Sequence, residues 1–229
     1  MMKAKPNYGI DAPTVVRNLI IIGVLVSVVS LIFKLPFIWT GIALILTGCV
    51  MLSASLFFKL RLRDRIIKSL NLRGDEQVLD VGCGHGLMLI GVAKKLKTGK
   101  AVGIDIWQKV DQAGNSPEAT LKNIEAENVG NRVELKDADA RNLPFADETF
   151  DVIVSSFALH NIYEKNEREK ALAEIVCVLK KGGRIAVADI RHSGQYAEFF
   201  RRNNLKNVRR SRPYFLFVVP TFIVYAEKI

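Results

Sequence analysis

The sequence predicts a doubly wound α/β domain carried behind a hairpin of two transmembrane helices. Three observations predict it. Two apolar runs, 15–33 and 37–58, open the chain; short segments rich in Val and Ile then alternate with helix-like stretches; and the first of those segments enters a turn with glycines at alternate positions, Gly82, Gly84 and Gly86. Composition agrees with a membrane part joined to a basic soluble part. Of 229 residues 49% are hydrophobic, yet 33 basic side chains face 23 acidic ones, for a net charge of +10. Apolar content on this scale excludes a disordered chain. Cys49, Cys83 and Cys177 stand far apart with no paired spacing, which argues against a disulfide framework or a cysteine zinc site.

The first two elements are the apolar runs. At about 1.5 Å per residue each is long enough to cross a hydrocarbon core of about 30 Å. Arg17 is the only charge inside either run, and it lies near enough to an end to snorkel. Lys34-Leu35-Pro36 leaves room only for a tight turn, and a second run following at once is unlike a cleaved signal peptide. Lys3, Lys5 and Arg17 flank one outer end and Lys59, Arg61, Arg63 and Arg65 the other, against Lys34 alone at the turn. Both termini are therefore expected in the cytoplasm of a two-pass protein of the cell membrane. The expected organisation is a cytoplasmic segment 1–14, a membrane hairpin 15–58, a basic juxtamembrane linker or helix 59–72, and a domain 73–229. Beyond residue 58 an excess of +7 persists, concentrated in 59–68 and in Arg201, Arg202, Lys206, Arg209, Arg210 and Arg212. Anionic lipid would attract such charges by about 1 kcal/mol each near a leaflet; a solvated surface is the plain alternative. Nucleic acid is not expected, because aromatic interleaving and nucleic-acid motifs are absent.

In the domain, 77–81, 101–106, 132–136, 150–155 and 184–189 read as strands, separated by helices at 87–96, 117–127 and 165–179, with Ser116-Pro117 as a helix start. Gly99, Gly130 and Gly182-Gly183 mark turns. Such alternation gives parallel strands with crossover helices and a ligand site outside the strands' carboxyl ends. The tail breaks the pattern: 214–219 and 221–226, joined through Pro220, predict an antiparallel hairpin at one sheet edge.

The glycine turn favours close approach of a ligand to backbone and to the free N–H groups of the helix that follows. A dinucleotide fingerprint needs its third glycine one position later, and Asp80 suits a pyrophosphate poorly. Asp80-Val81-Gly82-Cys83-Gly84-His85-Gly86 resembles motif I of the class I S-adenosylmethionine-dependent methyltransferases. The resemblance covers about residues 70–229 and extends to Asp105 at the end of the second strand, Asp139-Ala140 before Leu143-Pro144-Phe145, the fourth strand 150–154, the turn Leu179–Gly183 and the terminal hairpin. Its nearest likeness is to the ubiquinone/menaquinone-biosynthesis type, from which the two N-terminal runs depart.

The resemblance implies a Rossmann-like methyltransferase sheet, S-adenosyl-L-methionine as cofactor, and a donor site made of Asp80, Gly82, Cys83, Gly84, Gly86, Asp105, Ile106, Trp107, Asp139, Ala140 and Ser155. Within it Asp105 would accept from ribose hydroxyls, Asp139-Ala140 would meet the adenine edge, and Trp107 would stack nearby. All three histidines, His85, His160 and His192, follow predicted strands on the ligand-binding edge. His160, Asp189 and His192 are the candidates for acid–base work or substrate contact, beside structural hydrogen bonding; His85 reads as a filler beside the donor. No metal site is expected. The expected activity is methyl transfer to a small or lipophilic acceptor at the cytoplasmic membrane face. A soluble acceptor and a non-catalytic donor-sensing module are the alternatives. The stretch 107–116 is longer than a donor site requires and suits either a cover or a surface loop. Tyr8-Gly9-Ile10-Asp11-Ala12-Pro13 has a composition suited to folding back over the site's mouth, which the sequence alone does not decide.

Overall fold

The computed structural model describes residues 5–108, 114–215 and 220–229. Lys3, residues 109–113 of the long stretch after Asp105, and residues 216–219 of the expected hairpin lie outside them.

Pro13 starts α1 (Pro13–Ile32), where its missing N–H has no partner to lose. After a short turn, α2 (Ile38–Ser53) runs antiparallel to it. The two helices meet through glycine: a Cβ on Gly41 would stand 2.7 Å from the Gly23 carbonyl oxygen and 2.8 Å from the Ser27 nitrogen. Gly48 similarly faces Ile20. Small residues thus bring the two backbones together within one chain. The chain does not break after α2. One π-helical turn (Ala54–Phe58) leads into α3 (Lys59–Ser69), and residues 38–69 form one continuous helix.

The domain is a seven-stranded sheet. In chain order the elements are β1 (Gln77–Val81), α4 (Leu87–Ala93), β2 (Lys100–Asp105), α5 (Pro117–Ala126), β3 (Val133–Asp137), β4 (Phe150–Ser156), α6 (Lys165–Val178), β5 (Leu179–Asp189), α7 (Ser193–Arg202), β6 (Lys206–Arg210) and β7 (Phe222–Glu227). Spatially the strands run β3-β2-β1-β4-β5-β7-β6, parallel except for β7, which lies antiparallel between β5 and β6. Alternation along the strands serves two cores. Val78, Val152, Val154, Ala186 and Ile223 face α3, α4 and α5; Leu79, Ile153, Ile185, Val187 and Val224 face α6 and α7. The order reverses between β1 and β4, which opens a crevice at their carboxyl ends. Ser116 caps α5 by accepting the Ala119 N–H at 3.2 Å, with Pro117 at the first helical position.

Two expectations are corrected. The edge-side partner of β7 is β6, residues 206–210, rather than 214–219; among the described residues of the latter run, Tyr214 makes an isolated bridge to Thr221. A strand at the sheet's edge, exposed on most of its surface, needs no apolar pattern, and charge there guards against unwanted pairing. The turn expected at Leu179–Gly183 is instead a bulge inside β5, where pairing with β4 jumps from Phe150↔Leu179 to Val152↔Arg184. The helix α7 was not anticipated.

The base of α3 is tied to the sheet. Arg184 of β5 donates to the Leu70 carbonyl and pairs with buried Glu76 at 3.4 Å, while Leu62, Ile66 and Ile67 pack on α4. Gly41→Leu is expected to force the hairpin apart and lower stability by about 1–3 kcal/mol. Thermal unfolding in detergent would read this; an unchanged transition would show that the helices do not pack through Gly41.

Candidate donor and acceptor site

Gly82 begins the turn after β1 with φ +72°, and a Cβ there would lie 2.2 Å from that of Ala158 beyond β4. No larger residue fits. The Ile104 carbonyl accepts from both Gly82 and Cys83 at 2.9 Å, Thr120 donates to the Gly84 carbonyl at 2.6 Å, and Asn123 donates to the His85 carbonyl at 2.9 Å. The loop is thereby held from β2 and α5. Asp105, at the end of β2, accepts the Gly84 N–H at 2.8 Å, the Trp107 N–H at 2.7 Å and the Asn115 amide at 3.2 Å.

Beside this loop lies a cavity of about 900 Å³. Asp80, Gly82, Cys83, Gly84, Asp105, Ile106, Asp139 and Ala140 all line it, together with His85 and His160. Gly86 lies behind it, starting α4. Trp107 is placed otherwise: its indole N–H donates to Asp137 and its ring packs against the core, so Ile106 supplies the apolar lining. Ser155 is buried and donates to the Val81 carbonyl at 2.8 Å, joining β4 to β1. The Asp139 carboxylate is gripped by Arg141, at 2.5 Å from Nη2, which holds its pKa below the usual range.

Of the three acid–base candidates, His160 alone lines the cavity. Asp189 lies fully buried beneath it, accepting the His160 N–H at 3.0 Å and the Tyr196 hydroxyl at 3.2 Å. His160 Nδ1 stands 2.6 Å from Asp189 Oδ1, within ion-pair distance but without the alignment of a hydrogen bond. His192 is exposed and starts α7, with its pKa lowered by partial burial and by Arg168. Among the described residues no cluster of three His, Cys, Asp or Glu is placed to hold a metal ion.

Sequence reasoning missed several residues. Asn115 is buried against Asp105, although it belongs to the long polar stretch after it. Lys59, read only as a flanking charge, is 5% exposed and reaches the cavity, as does Met51, whereas Tyr8, Asp11 and Ala12 line it as expected if segment 8–13 folds back over the mouth. Nothing local distinguishes a buried lysine after an apolar run from a snorkelling one.

The strongest electrostatic feature is Asp80. It is 1% exposed, and neither carboxylate oxygen has a well-formed hydrogen bond. Burial pushes its pKa up to about 8; the Asp105 carboxylate adds to the shift and the Leu89 amide only partly offsets it. An orphaned buried carboxyl fits the cationic methionine end of S-adenosylmethionine, as Asp105 and the glycine loop fit its remainder. The sign follows from linkage. Without ligand Asp80 is mostly protonated at neutral pH, so a cation drawn to its carboxylate displaces a proton. Donor affinity is therefore expected to rise as pH increases towards about 8 in the wild type and to stay flat in Asp80→Asn. Calorimetry in buffers of differing ionisation enthalpy would detect the released proton; none released near pH 7 would contradict this assignment. Folding stability of the ligand-free protein runs the opposite way with pH. The contribution from neutral Asp80 is complete below the unfolded pKa of 3.8 and is lost as pH rises through about 8.

Comparison with known proteins agrees with this geometry. The family model for a methyltransferase domain matches residues 79–187. A demethylmenaquinone methyltransferase of Lactobacillus johnsonii is 30% identical over 128 residues, covering 56% of this chain and 49% of the relative. The methyltransferase GfsG of Streptomyces halstedii is 32% identical over 130 residues, covering 57% and 43%. The chain thus spans about half the length of the curated relatives it matches. Among solved structures, a SAM-dependent methyltransferase from Aquifex aeolicus superposes with TM-score 0.57 at 21% identity, over 73% of this chain and 89% of that one. The cyclase SpnF superposes with TM-score 0.60, also at 21% identity, over 74% and 80%. These two likenesses concern the fold. The matching model, the strand order and the glycine turn agree in making residues 79–187 similar to a methyltransferase domain.

Proposed function

We propose that this protein transfers a methyl group from S-adenosylmethionine to a small or lipophilic acceptor at the cytoplasmic face of a membrane spanned by its two N-terminal helices. The observation that carries this reading is buried, unpartnered Asp80 facing a large cavity at the carboxyl ends of β1 and β4. The donor supplies a methyl group already activated on a sulfonium centre, so the protein's main task is alignment. Asp80 offers charge inside a dry wall. Asp105, fixed by two backbone N–H groups, offers its remaining acceptor capacity to hydroxyls. His160, held by Asp189, is positioned to take a proton from an acceptor hydroxyl or acidic carbon.

The lipophilic acceptor draws support from relatives named for demethylmenaquinone methylation and from the helices. Only 17% and 22% of their most apolar windows are buried, whereas the core helix of a soluble protein hides most of its surface. Lysine and arginine lie mainly at the hairpin's open end. Contact between the basic clusters and anionic lipid belongs to the same reading. Arg65 of α3 stacks over Tyr214, and Arg209 of β6 over Tyr225, so the two clusters are neighbours in the fold.

The test uses detergent-purified protein, methyl-labelled donor and a total extract of the source cells, with label followed into organic and aqueous phases. Label in the organic phase that falls at least about tenfold in Asp105→Ala is the expected result. His160→Gln is expected to slow turnover by about 10²-fold or more while leaving donor affinity unchanged. Label confined to aqueous products would refute the lipophilic acceptor. Tight donor binding without transfer to either phase would identify a sensor.

A further inference from the structure

One half of the cavity is walled by the chain's own N-terminal segment, whose Asn7 carbonyl stands 3.2 Å from Nδ1 of His85 in the glycine loop, and by the base of the membrane hairpin. Tyr8, Asp11 and Ala12 line it, with Val15 from the first turn of α1 and Met51 from the last turn of α2. The segment is anchored at both ends. Towards the domain, the Asn7 N–H donates to Asn123 at 2.7 Å, its carbonyl accepts the Asn123 amide at 2.8 Å, and the Tyr8 hydroxyl donates to Glu127 at 3.0 Å. Towards the membrane, the buried Lys59 ammonium donates to the carbonyls of Tyr8 at 2.9 Å and Gly9 at 2.6 Å and pairs with Asp11 at 3.5 Å. Ser55 accepts the Asp11 N–H at 3.0 Å. Ser55 and Lys59, one turn apart, both meet the segment at the π-helical turn, a distortion that often marks functional positions.

We infer that this half is an acceptor subsite for an amphiphile with a small head and an apolar tail, the head beside His160 and the tail leaving between Val15 and Met51 into the bilayer. The inference deepens the methyltransferase reading and rests on it. A cavity of about 900 Å³ lies near the upper end of the roughly 300–1,000 Å³ found for ligand pockets. Beside His160 the lining carries exposed charge, whereas at the hairpin its charges are the Asp11–Lys59 pair, matched at 3.5 Å. The exposed charged residues Arg141, Glu164 and Arg191 line the cavity alongside His160, whereas Ala12, Val15 and Met51 carry no charge where α1 and α2 enter the membrane. The anchored segment closes the gap between those helices and the domain. Its polar groups are taken up by Lys59, Ser55 and Asn123, so the wall adds little demand for water.

The test uses native-membrane vesicles of the source cells as acceptor supply, labelled donor, and Val15→Trp and Met51→Trp, which fill the tail's exit. Organic-phase labelling is expected to fall about tenfold or more, with donor affinity close to that of the wild type. Labelling equal to wild type in both variants would overturn the inference. If either variant loses donor affinity, a benzophenone side chain at position 51 replaces it: irradiation during turnover should capture labelled lipophilic product there and not at exposed Leu121, which does not line the cavity, and equal or absent capture would overturn the inference. A wild type that binds donor but labels only aqueous products overturns the acceptor subsite and leaves the donor site standing. A wild type that does not bind donor overturns the methyltransferase reading itself.

Discussion

The architecture depends on one helix that does not stop. Residues 38–69 leave the apolar hairpin, pass through a π-helical turn and dock on the sheet as α3. A flexible linker would let the domain tumble relative to the hairpin, and its cavity could face anywhere. A continuous helix fixed at its foot by Arg184 and by packing on α4 sets the cavity against the hairpin's base. Lys59 is the hinge of this arrangement. A lysine with a 5% exposed side chain is costly unless its donors are satisfied, and here two carbonyls and a carboxylate satisfy them. Those partners come from the N-terminal segment, so the desolvated ammonium and the segment's fixed path explain each other.

The donor half obeys a second constraint, the dryness of the crevice between β1 and β4. There a carboxyl without partners is held mostly neutral, and the same burial that raises the Asp80 pKa strengthens its attraction for a cation once ionised. Asp105 is the counterpart. Its carboxylate is organised by protein N–H groups before any ligand arrives, which reduces the reorganisation that binding demands.

Much of this was legible in the sequence, for identifiable reasons. The inner strands β1, β4 and β5 are buried on both faces and therefore read as Val/Ile runs, and the glycine turn is legible because Gly82 has no tolerable substitute beside Ala158. The strand β6 was not legible, because an edge strand reading Lys-Asn-Val-Arg-Arg looks like a solvated charge cluster until β7 is seen beside it. The helix α7 was hidden for the same reason, its aromatic stripe of Tyr196, Phe199 and Phe200 running into Arg201 and Arg202. The histidines show the limit of reasoning from strand ends. All three follow strands, yet the direction in which each loop leaves the sheet puts His85 and His160 in the cavity and His192 on the surface. Segment 8–13 was legible as a piece that folds back over the mouth, but its partner Lys59 was not, because a lysine after an apolar run carries no local sign of burial.

The central claim is that hairpin and domain form one working site because a rigid helix joins them. Inserting Gly-Ser-Gly between Phe58 and Lys59 breaks that helix while leaving every donor-site residue in place, and donor affinity and organic-phase methyl transfer measured on the same preparation test the claim directly. The account predicts donor affinity within about twofold of wild type and transfer reduced by about a hundredfold, the scale of loss that small misplacement of reactants produces. Undiminished transfer would contradict it and reduce the hairpin to a tether.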